Sequence, residues 1–388
     1  MRGLLLLLPI ALLTGCGTFA DPTTWLGKAD VVEPSELVEL QNVIQPDTVW
    51  TANTGAGTDE QWLALQPHVE GDTVFVVDGR GRVQAFAIAD GSRRWRVDLD
   101  APVSGGPGVG EGLVLLGTSD AEVIALAMES GEERWRARVS SEVLSVPAAA
   151  EGVVIVHTVD GKLFGLEATT GNERWRYERE VPVLTLRGNG SPVISNGIAY
   201  VGMAGGRLLA LRVDSGGVMW EASVSVPAGR SELERLADID GDPVVFGGGV
   251  FVATYQGEVA AIEERSGQLA WRRKMSVYSR MGADRQGLYV SDEDGVVWGL
   301  DIRNGNARWS QEALKYRKLS SAAVVDGLVV VGDFEGYLHW LDRDDGSMLA
   351  RTRVGRDPIT TGIQVADGML YVQGDGGELA VVRPPADR

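Results

Sequence analysis

One phrase recurs along the chain at intervals of about 40 residues, the spacing typical of propeller blades. It consists of a short alternating apolar run, a glycine and, four residues after that glycine, a tryptophan. Six copies read GRVQAFAIADGSRRW, AEVIALAMESGEERW, GKLFGLEATTGNERW, GRLLALRVDSGGVMW, GEVAAIEERSGQLAW and GVVWGLDIRNGNARW. A seventh, GYLHWLDRDDGSMLA, has Ala350 in place of the tryptophan, and an eighth, GELAVVRP, stops before that position.

Alternating apolar and polar residues followed by a turn with glycine predict a β-hairpin in each copy. Two further short apolar runs precede each phrase, as in PAAAEG followed by VVIVHTVDG, which gives four strands per unit. Repeated units of four strands are the signature of a β-propeller, in which each unit is one blade. We therefore expect the motif tryptophans to pack against the neighbouring blade.

The two chain ends are expected to complete one blade together. The last unit lacks its fourth strand, and the N-terminal stretch DTVWTANTG places Trp50 in the context of a motif tryptophan. A closed ring leaves no exposed sheet edge between first and last blades. The sequence thus predicts an all-β fold, an eight-bladed β-propeller of four-stranded antiparallel blades, its last blade closed by the N-terminal strand.

Two units are longer than the others, and the extra residues can be located. In regular units a proline follows the motif tryptophan by 12 positions, as from Trp95 to Pro107. The distance grows to 17 from Trp175 to Pro192 and to 23 from Trp220 to Pro243. The excess therefore lies in two adjacent links between blades, VPVLTLRGNGSP and VPAGRSELERLADIDGDP. Enlarged loops on one face of a rigid scaffold predict a partner-binding site.

Other interpretations of the charged link remain open. Its acidic and basic residues from Glu232 to Arg235 suit a solvated helical turn whose leucines pack on the disc. The run Asp238-Ile239-Asp240-Gly241-Asp242 resembles the start of a calcium loop, but Pro243 and Gly249 stand where such a loop needs Gly and Glu.

The N-terminus is a targeting segment, MRGLLLLLPIALLTGC, with one positive charge and an apolar stretch too short to span a bilayer. It resembles a bacterial lipobox, in which Cys16 becomes the lipidated first residue; an ordinary secretory signal is the alternative. Cys16 is the only cysteine, so no intrachain disulfide can form. Gly17 after it, rather than Asp, implies transport to the outer membrane. We predict a signal peptide over 1–15, a lipidated tether over 16–45 and the propeller over 46–388.

The stretches VLTLRGNGSP, SELERLADIDGDPVV and VVGDFEGYLHWLDRDDG, together with the lipobox and the whole repeat array, resemble the BamB family. These are propeller lipoproteins of the bacterial outer-membrane β-barrel assembly machinery. The resemblance implies a scaffold on the periplasmic face of the outer membrane that binds the POTRA domains of the barrel subunit, BamA, and assists insertion of outer-membrane proteins. It implies contacts at Leu184, Leu186 and Arg187 in the first long link and at Asp238 and Asp240 in the second. The missing tryptophan at Ala350 departs from the repeat and puts the local packing in question.

Two other functions compete with a non-enzymatic scaffold. A quinone-cofactor dehydrogenase uses a similar propeller, but such enzymes typically carry a vicinal cysteine pair, and the one cysteine here belongs to the anchor. An envelope sensor with a small molecule in its central channel is the other. The formal net charge of −18 argues against nucleic-acid binding. His68, His157 and His339 lie in different repeats, and we interpret His157 and His339 as packing residues in strands. We expect no enzyme activity, no cofactor and no metal.

Overall fold

The computed structural model describes residues 33–59, 61–179, 190–225, 238–254 and 257–385. In chain order the first strands are β1 (Asp47–Asn53), β2 (Ala64–Leu65), β3 (His68–Glu70), β4 (Thr73–Val77), β5 (Arg82–Ala87), β6 (Arg93–Asp98), β7 (Val103–Gly110), β8 (Leu113–Thr118), β9 (Glu122–Ala127), β10 (Glu133–Arg138), β11 (Ala148–Ala150), β12 (Val153–His157), β13 (Leu163–Glu167), β14 (Glu173–Tyr177), β15 (Val193–Ser195), β16 (Ile198–Met203) and β17 (Arg207–Arg212). The remaining strands are β18 (Val218–Ser223), β19 (Val244–Phe246), β20 (Gly249–Ala253), β21 (Glu258–Glu263), β22 (Leu269–Lys274), β23 (Gly282–Ala283), β24 (Leu288–Ser291), β25 (Val297–Leu300), β26 (Ala307–Gln311), β27 (Ala323–Val325), β28 (Leu328–Gly332), β29 (Tyr337–Asp342), β30 (Met348–Arg353), β31 (Gln364–Ala366), β32 (Met369–Gln373) and β33 (Glu378–Arg383).

These strands form eight antiparallel blades, numbered here from β3–β6 as blade 1 to β27–β30 as blade 7. In blade 8, β31, β32 and β33 are followed by β1, which pairs antiparallel with β33. The short β2 adds to blade 2 by parallel pairing with β7. The first strand of each blade contacts the first strand of the next, and β31 of blade 8 contacts β3 of blade 1. The ring is closed, and the predicted eight-bladed fold with its shared last blade is confirmed.

The hydrophobic core lies mainly between neighbouring blades and is fastened by the motif tryptophans. Each indole N–H donates to a backbone carbonyl of the next blade at 2.8–3.0 Å. The pairs are Trp50 with Ile88, Trp95 with Met128, Trp135 with Ala168, Trp175 with Val213, Trp220 with Glu264, Trp271 with Ile302 and Trp309 with Arg343. Each ring also lies against the turn glycine of the next repeat, where a Cβ would come within 2.4–2.7 Å of the indole. A buried indole with its N–H satisfied joins apolar contact to a directional bond, as predicted.

In blade 7 the tryptophan and the small residue of the repeat stand on each other's strands. In blades 1 to 6 an alanine or glycine on the third strand pairs with the motif tryptophan, as Ala85 does with Trp95. In blade 7 Trp340 on β29 pairs with Ala350 on β30, and both are fully buried. An indole ring therefore fills the same level of the blade as in the other repeats. Unlike the motif tryptophans, the Trp340 indole N–H has no hydrogen-bond partner. The departure at Ala350 is compensated locally.

The compact unit that contains the propeller extends from Pro34 to Arg388. The sequence predicts a tether over 16–45 and a propeller that starts at residue 46. Residues between Ser35 and Ile44 contact blades 6 and 7, and Ile44 is buried in the core cluster around Trp340.

Candidate partner-binding site

One face of the propeller is formed by the links that join the fourth strand of one blade to the first strand of the next. We call it the link face. An ordinary link covers residues 139–147, between β10 and β11. The link between β14 and β15 covers 178–192, and the link between β18 and β19 covers 224–243. The strand bounds confirm that the extra length of the two longer repeats lies in these two adjacent links.

The described ends of the two long links lie side by side. The backbone N–H of Ser191 donates to the Asp242 carboxylate at 2.6 Å. A Cβ placed on Gly190 would lie 3.0 Å from the Gly241 carbonyl oxygen, so the two backbones are in close contact. Beneath them the buried His157 has its Nδ1 3.3 Å from the Gly190 carbonyl. The sequence prediction of two neighbouring loops on one face is therefore met by direct contact between them.

Asp238 is placed inside the protein, with only 4% of its surface exposed. Its carboxylate accepts a hydrogen bond of 2.7 Å from the backbone N–H of Gly205, in the turn between β16 and β17. The next residue, Ile239, is buried in the core cluster of blades 4 and 5. Together these two residues hold the end of the second long link against the disc.

Asp240 lies in the same short stretch but in a different environment. It is half-buried, and its Oδ1 is shielded from solvent without a hydrogen-bond partner. Burial, and secondarily the charge of Asp238, raise the pKa of Asp240 to about 7. A buried carboxylate oxygen without a donor costs free energy, so the end of the second long link carries an unmet acceptor.

Leu184, Leu186, Arg187 and Cys16 lie outside the described residues. The beginning of the first long link, which contains the two leucines and Arg187, is fixed. Arg179 pairs with Glu221 on β18 at 2.5 Å, and Arg207 on β17 pairs with the same carboxylate. The first long link is thus held at one end by an ion pair on blade 4 and at the other by Ser191.

A third link, covering residues 275–281 between β22 and β23, continues the same surface. The Gly241 backbone lies against the Ser279 carbonyl, where a Cβ would come within 2.9 Å. Tyr278 is 41% exposed, while its neighbour Val277 is fully buried and holds the link in place. Link length does not identify Tyr278 from the sequence, because this link is not enlarged. Its position directly after the second long link in the ring was the available signal.

The buried histidines have structural roles. His157 and His339 lie within strands and are almost fully buried, as predicted. Burial lowers the pKa of His157 to about 4, so the ring is neutral at physiological pH. Within the described part of the chain, no group of three or more His, Cys, Asp or Glu side chains is arranged to hold a metal ion. The same residues contain no helix of the length and apolarity needed to cross a membrane.

The fold and this face define a class: an eight-bladed β-propeller with two adjacent enlarged links on one face. A family model described as outer membrane protein assembly factor BamB matches residues 42–105 and 79–311. Curated proteins of that name are similar to the chain over nearly all its length. The protein from Pseudomonas aeruginosa is 50% identical and covers 89% of this chain and 91% of its own. The protein from Escherichia coli K12 is 36% identical over 97% of this chain and 98% of its own. The chain belongs to the BamB family.

Solved structures agree with this fold. The crystal structure of BamB from Moraxella catarrhalis superposes with a TM-score of 0.80 at 26% identity, covering 87% of this chain and all of that one. A quinohemoprotein alcohol dehydrogenase from Comamonas testosteroni reaches a TM-score of 0.70 at 14% identity, covering 88% of this chain and 77% of that one. The second likeness concerns the propeller fold alone.

Proposed function

We propose that this protein is a non-enzymatic scaffold lipoprotein of the outer-membrane β-barrel assembly complex. It binds the periplasmic POTRA domains of BamA through the link face and assists the insertion of outer-membrane proteins. Membership of a family of outer membrane protein assembly factors supports the role in assembly. The observation that carries the choice of surface is the direct contact between two adjacent enlarged links, from Ser191 to Asp242.

The propeller supplies rigidity and the links supply the contacts. In this proposal Leu184 and Leu186 form an apolar centre and Arg187 fixes orientation, the composition of a small binding hot spot. Asp240 accepts a donor from the partner, whereas Asp238 positions Asp240 through its bond to Gly205. Titrating a purified POTRA fragment of BamA into the mature chain by calorimetry tests the proposal, since binding is expected and its absence would refute it.

The binding should depend on pH near neutrality, because the pKa of the Asp240 carboxyl is about 7 in the free protein. A donor from the partner favours the ionised carboxylate, so the pKa falls on binding and the affinity rises with pH. We expect the complex to be about tenfold weaker at pH 6 than at pH 8. Asp240→Asn should flatten this dependence; a wild-type affinity that does not vary over this range would argue against the contact.

The stability of the free protein gives an independent check on the same group. A carboxyl whose folded-state pKa is raised contributes stability below its unfolded pKa of about 4, and this contribution is lost as the pH rises to about 7. Asp240→Asn should therefore raise the midpoint of chemical unfolding at pH 8 and change it little at pH 4. An equal change at both pH values would show that ionisation of Asp240 is not the cause.

Anchoring is proposed through Cys16, which would place the propeller on the periplasmic face of the outer membrane. Cys16→Ser removes the only thiol that can be acylated. It should abolish acyl labelling and move the protein from the outer-membrane fraction to the soluble periplasmic fraction. Several acyl chains hold a protein stably, whereas a chain without them has no such attachment. A normally processed variant that still fractionates with the outer membrane would contradict the lipoprotein assignment.

A further inference from the structure

Residues 35–44, which we call the strap, run along the rim of the propeller at blades 6 and 7 before the chain enters β1. The Ser35 N–H donates to the Lys315 carbonyl at 3.0 Å, and the Val43 N–H donates to the Leu349 carbonyl at 2.7 Å. Ile44 is 8% exposed and belongs to the core cluster between blades 7 and 8. The strap is therefore attached at both of its ends.

The upstream attachment completes the environment of a buried charge. Arg317 is 3% exposed, and its Nε donates to the Asp333 carboxylate at 2.8 Å. The same carboxylate oxygen is 2.9 Å from Nε2 of the buried His339. Nη2 of Arg317 pairs with Glu335, and Nη1 donates to the Ser35 carbonyl at 3.0 Å. Because a buried guanidinium is costly unless its donors are satisfied, the carbonyl of the strap stabilises Arg317 by accepting a donor that would otherwise be unmet.

The downstream attachment imitates strand pairing along the outer edge of β30. The Asn42 side chain accepts from the Arg351 backbone N–H at 3.0 Å and donates to the Arg351 carbonyl at 3.2 Å. The Arg351 guanidinium donates to the Val38 carbonyl at 3.1 Å. Unpaired strand edges are normally protected by charge or covered by another segment. Here the chain covers the edge of blade 7 with its own N-terminal strap.

We propose that the strap is a clasp that fixes, on the rim of blades 6 and 7, the point from which the N-terminal anchor leaves the propeller. This inference rests on the proposed lipidation of Cys16. Without the clasp, the distance from Cys16 to the first fixed point of the propeller, at β1, has an upper bound of roughly 105 Å set by chain length. With it, the first fixed point is Ser35, and the upper bound falls to roughly 65 Å. The clasp thereby gives the disc a preferred side toward the membrane.

The test couples the mature chain through Cys16 to a maleimide lipid in vesicles, so that it does not depend on cellular acylation. A fluorophore is introduced as a non-canonical amino acid at position 169 or 344, with acceptor lipids in the bilayer. Thr169 and Asp344 occupy the same turn position in the opposite blades 3 and 7. We expect higher energy transfer from position 344 than from position 169.

A strap variant then weakens the attachment at both of its ends without altering the core. Ser35→Pro with Asn42→Ala eliminates the backbone donor at Ser35 and the amide at Asn42, and the difference in transfer should disappear. Hydrogen exchange of the peptide around Val43 should become at least tenfold faster. The control Glu36→Ala with Gln41→Ala changes two exposed strap residues that take no part in these bonds, and it should behave as wild type.

Equal transfer from both positions in the wild type, or a difference that survives in the strap variant, would overturn the clasp. Binding of the strap variant to the POTRA fragment in solution should be unchanged, because the long links lie on other blades. The two proposals can therefore fail separately.

Discussion

Deleting residues 1–54 should destabilise the propeller severely, whereas deleting residues 1–33 should leave its unfolding midpoint nearly unchanged. The longer deletion removes β1, and with it the fourth strand of blade 8 and its pairing with β33. It also removes Trp50, whose indole donates to the Ile88 carbonyl of blade 1 at 2.8 Å and packs near Phe86. The ring would lose its closure at the one blade made from both chain ends.

Single substitutions test the contribution of the Trp50 side chain to the stability of the closed ring. Trp50→Ala should lower the free energy of unfolding by about 3–5 kcal/mol, since it creates a cavity and removes a satisfied hydrogen bond. Trp62 is a matched control because it is 83% exposed. Trp62→Ala should change the free energy of unfolding by less than about 0.5 kcal/mol.

An intermediate truncation separates closure from the contacts of the strap. Deleting residues 1–45 removes the strap, including the buried Ile44, but keeps β1. It should lower the free energy of unfolding clearly less than deleting 1–54. Chemical unfolding followed by tryptophan fluorescence measures all three truncations. Equal midpoints for the 1–45 and 1–54 deletions would mean that β1 does not close the ring in solution.

The blade number and the closure were predictable because both rest on local, repeated signals. Each hairpin carries its own alternation, turn glycine and tryptophan, and the incomplete last copy identifies its missing strand. The lengths of the links follow from the same register, which is why the two enlarged links were located correctly without a structure.

Other features depend on contacts between residues far apart in sequence, which a pattern of alternation does not report. The exchange of Trp340 and Ala350 is visible only when β29 and β30 are paired in register. The strap has no period, so its sequence predicts a tether, yet it is held by Arg317 and Arg351, which lie 282 and 313 residues downstream of their partners in the strap. Asp238 and Asp240 have the same side chain two positions apart, but one is bonded to Gly205 and the other retains a free acceptor oxygen.

The largest expected effect on binding comes from the first long link. Leu184→Ala with Arg187→Ala removes part of the proposed apolar centre and the charge beside it. Truncation of hot-spot residues typically costs about 2–4 kcal/mol, which corresponds to roughly 30- to 1000-fold in affinity. The unfolding midpoint should change little, because blade closure and the motif tryptophans are untouched.

The second long link should contribute through Asp240. Asp240→Ala alone should weaken the complex, and adding Asp238→Ala should weaken it further by releasing the loop from Gly205. The second change should also lower stability, since Asp238 is buried and bonded in the free protein. Tyr278→Ala extends the test to the neighbouring link. Glu111→Ala and Asp367→Ala, in turns between first and second strands on the opposite face, serve as controls.

The decisive measurement is the dissociation constant between the mature chain and a purified BamA POTRA fragment, determined by calorimetry for wild type and these variants at pH 8. The link-face variants should lose affinity while remaining folded, and the variants on the opposite face should bind as wild type. Unchanged affinity in folded variants of both long links, or an equal loss in the controls, would contradict binding through the link face.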